Sequence, residues 1–323
     1  CIRDRGVGMA GGGPMMGQGH CWGHHGEILQ GSFTGIGQGL VSLPIASRGS
    51  WARFTVDRHP PASGASPVND CYEGQSPGLS RIRCSSWRSK TAAAAHLALE
   101  HIAAYRPEVA TWTGSLEVGS SLPPGWGMGS STSDVVAAIR AIANAAGITL
   151  PPEAIGRIAV RAEGASDPHG EALPVLYAQR RGHVVRRWDR PLPPLVLVGC
   201  RCGQPVDTVG TPPLKANTEY DELHARLDVA ILRGDARALG EVATRSAELN
   251  QARVPKQRFE ELVEICADCG GVGVQVAHSG AVGGILVDAT APGASAQWAR
   301  CREALNQAGF PKTVDELVGS VTR

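Results

Sequence analysis

The sequence predicts a mixed chain of strands and helices arranged in two halves. Three observations carry this. The chain has 323 residues, 42% hydrophobic and 19% charged, enough for a large core and two domains. Runs with helical spacing of apolar residues alternate with short apolar or alternating runs that read as strands. Two glycine-rich turns punctuate these runs. Pro123 to Asp134 lies between a strand and a helix, and His278 to Gly283 lies between two apolar strands.

The composition narrows the function. A net charge of +1 sets up no field that would draw nucleic acid or an acidic membrane surface. No apolar run approaches the ~20 residues a membrane span needs. Residues 1–19 are rich in Gly and Met, have no long apolar core, and read as a disordered tail rather than a secretory signal. The nine cysteines are an odd, scattered set that fits a reducing cytoplasm. Cys266 and Cys269 form a CxxC, but no second pair completes a zinc site. Their spacing puts them on one helix, with one thiol facing the core.

Taken in order, His20 to Gly31 carries His20, His24 and His25. No zincin pattern accompanies these, and they read as a ligand-facing loop. Ser32–Phe33 and Leu40–Ile45 are strand pieces around a glycine-rich turn. Trp51–Asp57 alternates and reads as a strand. Residues 58–86 are an irregular lid or insertion, punctuated by Pro and Gly. Ser89–Tyr105 is a helix, and Ser115–Val118 a strand leading into the glycine-rich segment.

Val135, Ile139, Ile142 and Ala146 recur at helical spacing, and Gly147 closes that run. Pro151–Pro152 open the next helix, which ends near Glu163. Leu173–Gln179 and His183–Trp188 flank Arg180-Arg181-Gly182 as a hairpin. Pro191–Pro194 is a linker, and Leu195–Val198 a buried strand. Helices are predicted near 214–233, 235–251 and 257–269, strands at 272–277 and 284–287, and a last helix near 294–308.

A glycine-rich loop that opens a helix suits an anion. The backbone approaches the ligand closely, and free N–H groups at the positive helix end face it. Ser130, Ser131, Thr132 and Ser133 add hydroxyls. No Lys follows the glycines, so a Walker-type loop is excluded. The third-glycine spacing and βαβ context of a dinucleotide fingerprint are also missing.

Pro123 to Ser133 resembles the phosphate-binding motif of the GHMP kinases, P-x-x-x-G-L-G-S-S-A-A. Met128 stands for Leu, and Thr132 and Ser133 stand for the alanines. Ala277 to Gly284 stands where that family carries its last glycine-rich turn. Three stretches are similar to the L-threonine kinase branch: Gly26-Glu27-Ile28-Leu29-Gln30-Gly31, Met128 to Asp134, and His278-Ser279-Gly280 with Gly283 and Asp288. That branch usually has Cys-Gly-Glu in its first motif; here His25 replaces the Cys and His24 precedes it.

The resemblance implies an α+β fold of GHMP kinase type. The N-terminal half, 20–190, would be like ribosomal protein S5 domain 2, a mixed sheet with a left-handed crossover that binds ATP. The C-terminal half, 191–323, would be ferredoxin-like, with the site between the halves. It implies ATP and Mg²⁺ as cofactors and a small-molecule hydroxyl acceptor, L-threonine or a related hydroxy amino acid. Nucleic acid and membrane are not expected partners, and a homodimer is compatible.

By the same resemblance, Pro124, Gly125, Gly127, Met128, Gly129, Ser130, Ser131 and Thr132 hold the nucleotide. Ser131 and Glu163 are the metal ligands, and Asp167 is the candidate base. His25, Glu27, Gln30, His278, Ser279 and Gly280 line the acceptor, with Asp207 and Thr208 as further candidate contacts. The readings against it are a kinase for a specialised-metabolite alcohol or sugar, a non-catalytic binding protein of the same fold, and a diphosphate decarboxylase. The decarboxylase would call for a basic cluster that the sequence does not display.

Overall fold

The computed structural model describes residues 15–57, 81–84, 88–169, 171, 173–204 and 216–318. Two long strands form its spine, β1 (Met16–Phe33) and β2 (Gly37–Val56), paired antiparallel through the turn at 34–36. The sequence reading broke this hairpin into short pieces. The tail expected over 1–19 ends sooner, since Met16 to Gly19 already pair with β2; residues 1–14 lie outside the described residues.

In the N-terminal half, β4 (Gly114–Ser120) pairs antiparallel with β2, and β3 (Ile82–Arg83) pairs parallel with β4. Helix α1 (Ser89–Ala103) is the crossover between them. Most of the irregular stretch 58–86 is outside the described residues. The expected hairpin forms as β5 (Val175–Ala178) and β6 (His183–Arg187), attached to β2. Helix α2 (Ser130–Ala145) lies on β1, and α3 (Pro152–Glu163) beside it.

Why α2 sits so close is legible in two glycines. A Cβ at Gly17 would lie 2.1 Å from the Ala141 carbonyl oxygen, and one at Gly19 2.0 Å from that of Ala137. Ala137, Ala138, Ala141 and Ala145 are the matching buried face of the helix. Helix backbone therefore meets strand backbone, and the start of α2 is aimed by that contact. Arg88 also pairs with Asp134 in the first turns of α2.

The C-terminal half runs β7 (Leu195–Arg201), α4 (Thr218–Arg233), α5 (Ala236–Gln251), α6 (Phe259–Cys269), β8 (Gly273–Val276), β9 (Val282–Asp288), α7 (Ala294–Gln307) and β10 (Lys312–Val318). Its strand order, β10-β7-β9-β8, is the ferredoxin-like order. Cys266 and Cys269 are both buried on α6, so the core takes both thiols rather than one. The ladder continues into β1 through one rung, Glu27 opposite Val276, giving a single ten-stranded sheet. One apolar cluster spans both halves, from Leu43 and Met128 to Leu197 and Leu286. Among the described residues, no helix is long and apolar enough to cross a membrane.

Candidate active site

The site forms where β1, the glycine-rich loop, the end of α3 and the turn between β8 and β9 converge. Gly125, Gly127 and Gly129 all have φ between 72° and 81°. Gly129 is the residue before α2, and no side chain caps the helix behind it. A Cβ there would lie 2.6 Å from the His24 ring and 2.7 Å from His169, so two imidazoles crowd onto bare backbone. The Met128 side chain points into the core and is 1% exposed; only its backbone is offered to the loop. Pro124 and Gly125 are exposed at the loop's tip.

The loop is held from the other half. The Trp126 carbonyl accepts from the N–H groups of Ala281 and Val282, both at 3.0 Å. Gly280 lies directly on it, with a Cβ position 2.2 Å from the Gly127 nitrogen. Gly280 and Gly127 are thus in backbone contact, while Ser279 lies half-exposed in the same turn.

Glu163 is the last residue of α3, which stops at Gly164 in the left-handed region. Its two carboxylate oxygens each accept one hydroxyl from the first turn of α2, Ser131 at 2.7 Å and Thr132 at 2.7 Å. Burial pushes the Glu163 carboxyl up to about 7, against the pull of those two hydrogen bonds. A half-buried carboxylate with two hydroxyls beside it is an oxygen-rich place for a hard divalent ion.

Asp167 follows four residues on, in the loop after α3, with Oδ2 3.1 Å from His24 Nε2. Burial alone would raise the Asp167 carboxyl. The His24 imidazolium, its hydrogen bond, and then His278 and His169 hold it well below the usual carboxylate range instead. In return, burial opposes the charge on His24, but Asp167 and then Glu27 outweigh it and push the imidazole up to about 9. The two form a charged pair under the glycine-rich loop.

The first motif is corrected in phase. His20 to Gly31 is strand, not loop, and His24, rather than His25, enters the site. Gly26 has φ 62°, and the β1–β2 register slips between His24 and Glu27. This bulge turns His24 and Glu27 to the same side, 3.7 Å apart. His25 goes to the opposite face. Its ring contacts Thr313 Oγ1 and Gln275 Nε2, both at 2.7 Å, and Gly199 leaves it room on β7.

Burial, then the charge on His24, pushes His25 down to about 3, below its unfolded value of 6.5. The sign follows from linkage: its contribution is complete above pH 6.5 and is lost as pH falls, because only the unfolded chain takes up the proton. Between pH 6 and 4 the wild type should lose about 1.4 kcal/mol per pH unit more than His25→Gln. Urea unfolding across that range checks this, and parallel curves would overturn it.

Glu27, expected to meet the acceptor's ammonium, is already engaged. It is fully buried and accepts from the His278 backbone N–H at 2.6 Å, with His278 Nδ1 at 3.3 Å. It is a tie between β1 and the last glycine-rich turn. Gln30 donates to the Val276 carbonyl at 3.1 Å, but its Oε1 has no partner among the described residues. That oxygen belongs to a small pocket shared with Gln38, Gln179, Arg253 and His278. Arg253 was not found from sequence, since nothing in its local pattern marks it. Asp207 and Thr208 lie outside the described residues. A larger cleft of about 620 Å³ opens on the other side of His24 and His169, lined by Trp22, Arg140 and Pro168 among others.

Residues 91–178 match the model of the GHMP kinases N terminal domain, and 229–304 that of the GHMP kinases C terminal domain. Between them they take up about half the chain, which belongs to the GHMP kinase family. Among its relatives, the L-threonine kinase of Salmonella typhimurium is 27% identical over 199 residues, 59% of this chain and 66% of that protein. That of Citrobacter freundii is 26% identical over 183 residues, 54% of this chain and 62% of that one. The matched stretches therefore span just under two thirds of those relatives' length.

Solved structures share the fold over nearly the whole chain. A homoserine kinase from Cytophaga hutchinsonii superposes with a TM-score of 0.65 at 12% identity, covering 98% of each chain. The L. major mevalonate kinase in complex with R-mevalonate gives 0.63 at 18%, covering 99% of this chain and 100% of that one.

Proposed function

We propose that the protein is an ATP-dependent kinase that phosphorylates the hydroxyl of L-threonine or a related hydroxy amino acid. The observation that carries this is the Ser131–Glu163–Thr132 cluster at the uncapped start of α2, with the Asp167 carboxylate in the next loop. The donor set fits Mg²⁺, and the glycine-rich loop with the helix end fits a triphosphate.

In this reading the backbone of Gly125 to Ser130 cradles the phosphates, and Ser131 and Glu163 hold Mg²⁺. The ion supplies charge neutralisation across the phosphates when bound. The acceptor oxygen bonds to the γ-phosphorus, the bond to the β-phosphate oxygen breaks, and ADP leaves. The hydroxyl proton passes to Asp167. The His24 imidazolium keeps Asp167 ionised, which suits late proton transfer to a weak base. Arg253 supplies a cation for an acceptor carboxylate, and Gln30 Oε1 an acceptor for an ammonium.

The L-threonine kinase relatives support the amino-acid substrate. The 620 Å³ cleft beside His24 favours a second reading, a bulkier alcohol or sugar as acceptor. Incubation with ATP, Mg²⁺ and a panel of hydroxy amino acids, alcohols and sugars, with ADP release followed, separates the two. Turnover on alcohols or sugars with none on any amino acid sinks the threonine reading. Bound ATP with no turnover at all points to a non-catalytic binding protein. Ser131→Ala should raise the Mg²⁺ needed for half-maximal turnover about tenfold. An unchanged Mg²⁺ dependence would remove Ser131 as a ligand.

A further inference from the structure

A second group of ligating atoms takes in the charged pair and stands apart from the Ser131, Thr132 and Glu163 cluster. One ring nitrogen each of His24 and His169 and a carboxylate oxygen of Asp167 all lie within 4.8 Å of one another. They come from two separate segments, β1 and the loop after α3. Gly129 is what lets the two rings meet, since any Cβ there would strike both. Their ring centroids are 5.5 Å apart.

One nitrogen of this group is unused: His169 Nε2 is buried and has no hydrogen-bond partner among the described residues. A buried imidazole nitrogen left without a partner costs free energy that a bound ligand recovers. Both histidines also line the 620 Å³ cleft, so an ion has a way in.

We propose that His24, Asp167 and His169 form a binding site for a borderline divalent transition-metal ion of the zinc type, separate from the Ser131–Glu163 magnesium site.

Two imidazoles and one carboxylate are the donor set such ions prefer, whereas Mg²⁺ selects oxygens and keeps its waters. Zinc bonds of about 2.0–2.1 Å set neighbouring tetrahedral ligands about 3.3–3.4 Å apart. His24 Nε2 and Asp167 Oδ2 already stand at 3.1 Å. The His169 nitrogen stands within 4.8 Å of both, so its ring must move inward to complete the set. The three protein ligands leave the fourth position to water or to a group entering from the cleft. The proposal does not depend on the kinase reading, because it concerns an ion held by the free protein.

The probe is Co²⁺, added to chelator-stripped full-length chain in excess Mg²⁺ without nucleotide. One equivalent should bind, giving visible d–d bands and no thiolate charge-transfer band. The proton spectrum should show two exchangeable imidazole N–H signals shifted by the ion. His169→Ala should weaken binding at least about tenfold, and Glu163→Gln should leave it unchanged. No binding in excess Mg²⁺, a thiolate band placing the ion on cysteines, or the same affinity in His169→Ala would each overturn the site. Should His169→Ala fail to fold, the two shifted imidazole signals of the wild type decide: their absence overturns it.

Discussion

Asp167→Asn should lower kcat at least about 10²-fold while nucleotide binding survives. The exchange keeps the size of the side chain and an oxygen that can accept from His24. It removes the negative charge and the place for the acceptor's proton. The effect should fall on kcat with little change in KM, because the group acts on the reacting hydroxyl rather than on the body of the acceptor. His24 supplies a second readout. Asp167 is the first support of its raised pKa, so in the variant the imidazole should titrate well below its present value of about 9. An NMR titration of His24 with near-normal turnover would show the pair broken without cost to catalysis, and would remove Asp167 from the chemistry.

Gly280→Ala should destabilise the fold by about 3 kcal/mol and weaken nucleotide binding. The new methyl would lie 2.2 Å from the Gly127 nitrogen and 2.3 Å from both its Cα and the Trp126 carbonyl oxygen. All three are backbone atoms, so no rotamer change relieves the clash. The two hydrogen bonds to the Trp126 carbonyl sit in the same contact and would stretch with it. Ser279→Ala, next door and half-exposed, should be nearly neutral. Urea unfolding compares the two, and a loss below about 1 kcal/mol for Gly280→Ala would mean that the turn and loop are not tightly joined.

The helices were legible because each carries its own signal. Val135, Ile139 and Ile142 mark the face of α2, Pro152 opens α3, and Gly164 and Gly270 stop α3 and α6. The place of Glu163 at the end of α3 was legible as well, since that helix has a clear apolar face. The strand β1 was not. Its glycines serve contacts with α2 and its bulges break the alternation that marks a strand, so it looked like a loop. The same bulge at Gly26 reversed the assignment of the two histidines: only the register with β2 tells which of His24 and His25 faces the site. Strand β10 was missed because Lys312 to Val318 is short and has no clean period; its place is set by pairing with β7. His169 meets His24, and Arg253 lines the small pocket with Gln30, through tertiary packing that no local pattern encodes.

The two hydrogen bonds accepted by the Trp126 carbonyl bear on how a ligand arrives. Glycine-rich loops commonly pay for their mobility when they close on an anion, losing backbone freedom residue by residue. Here the second half of the chain holds the loop through its own backbone hydrogen bonds. That entropy is spent during folding rather than at encounter. Association should then resemble docking onto a finished surface, its rate governed by diffusion and orientation and not by the slow ordering of a flap.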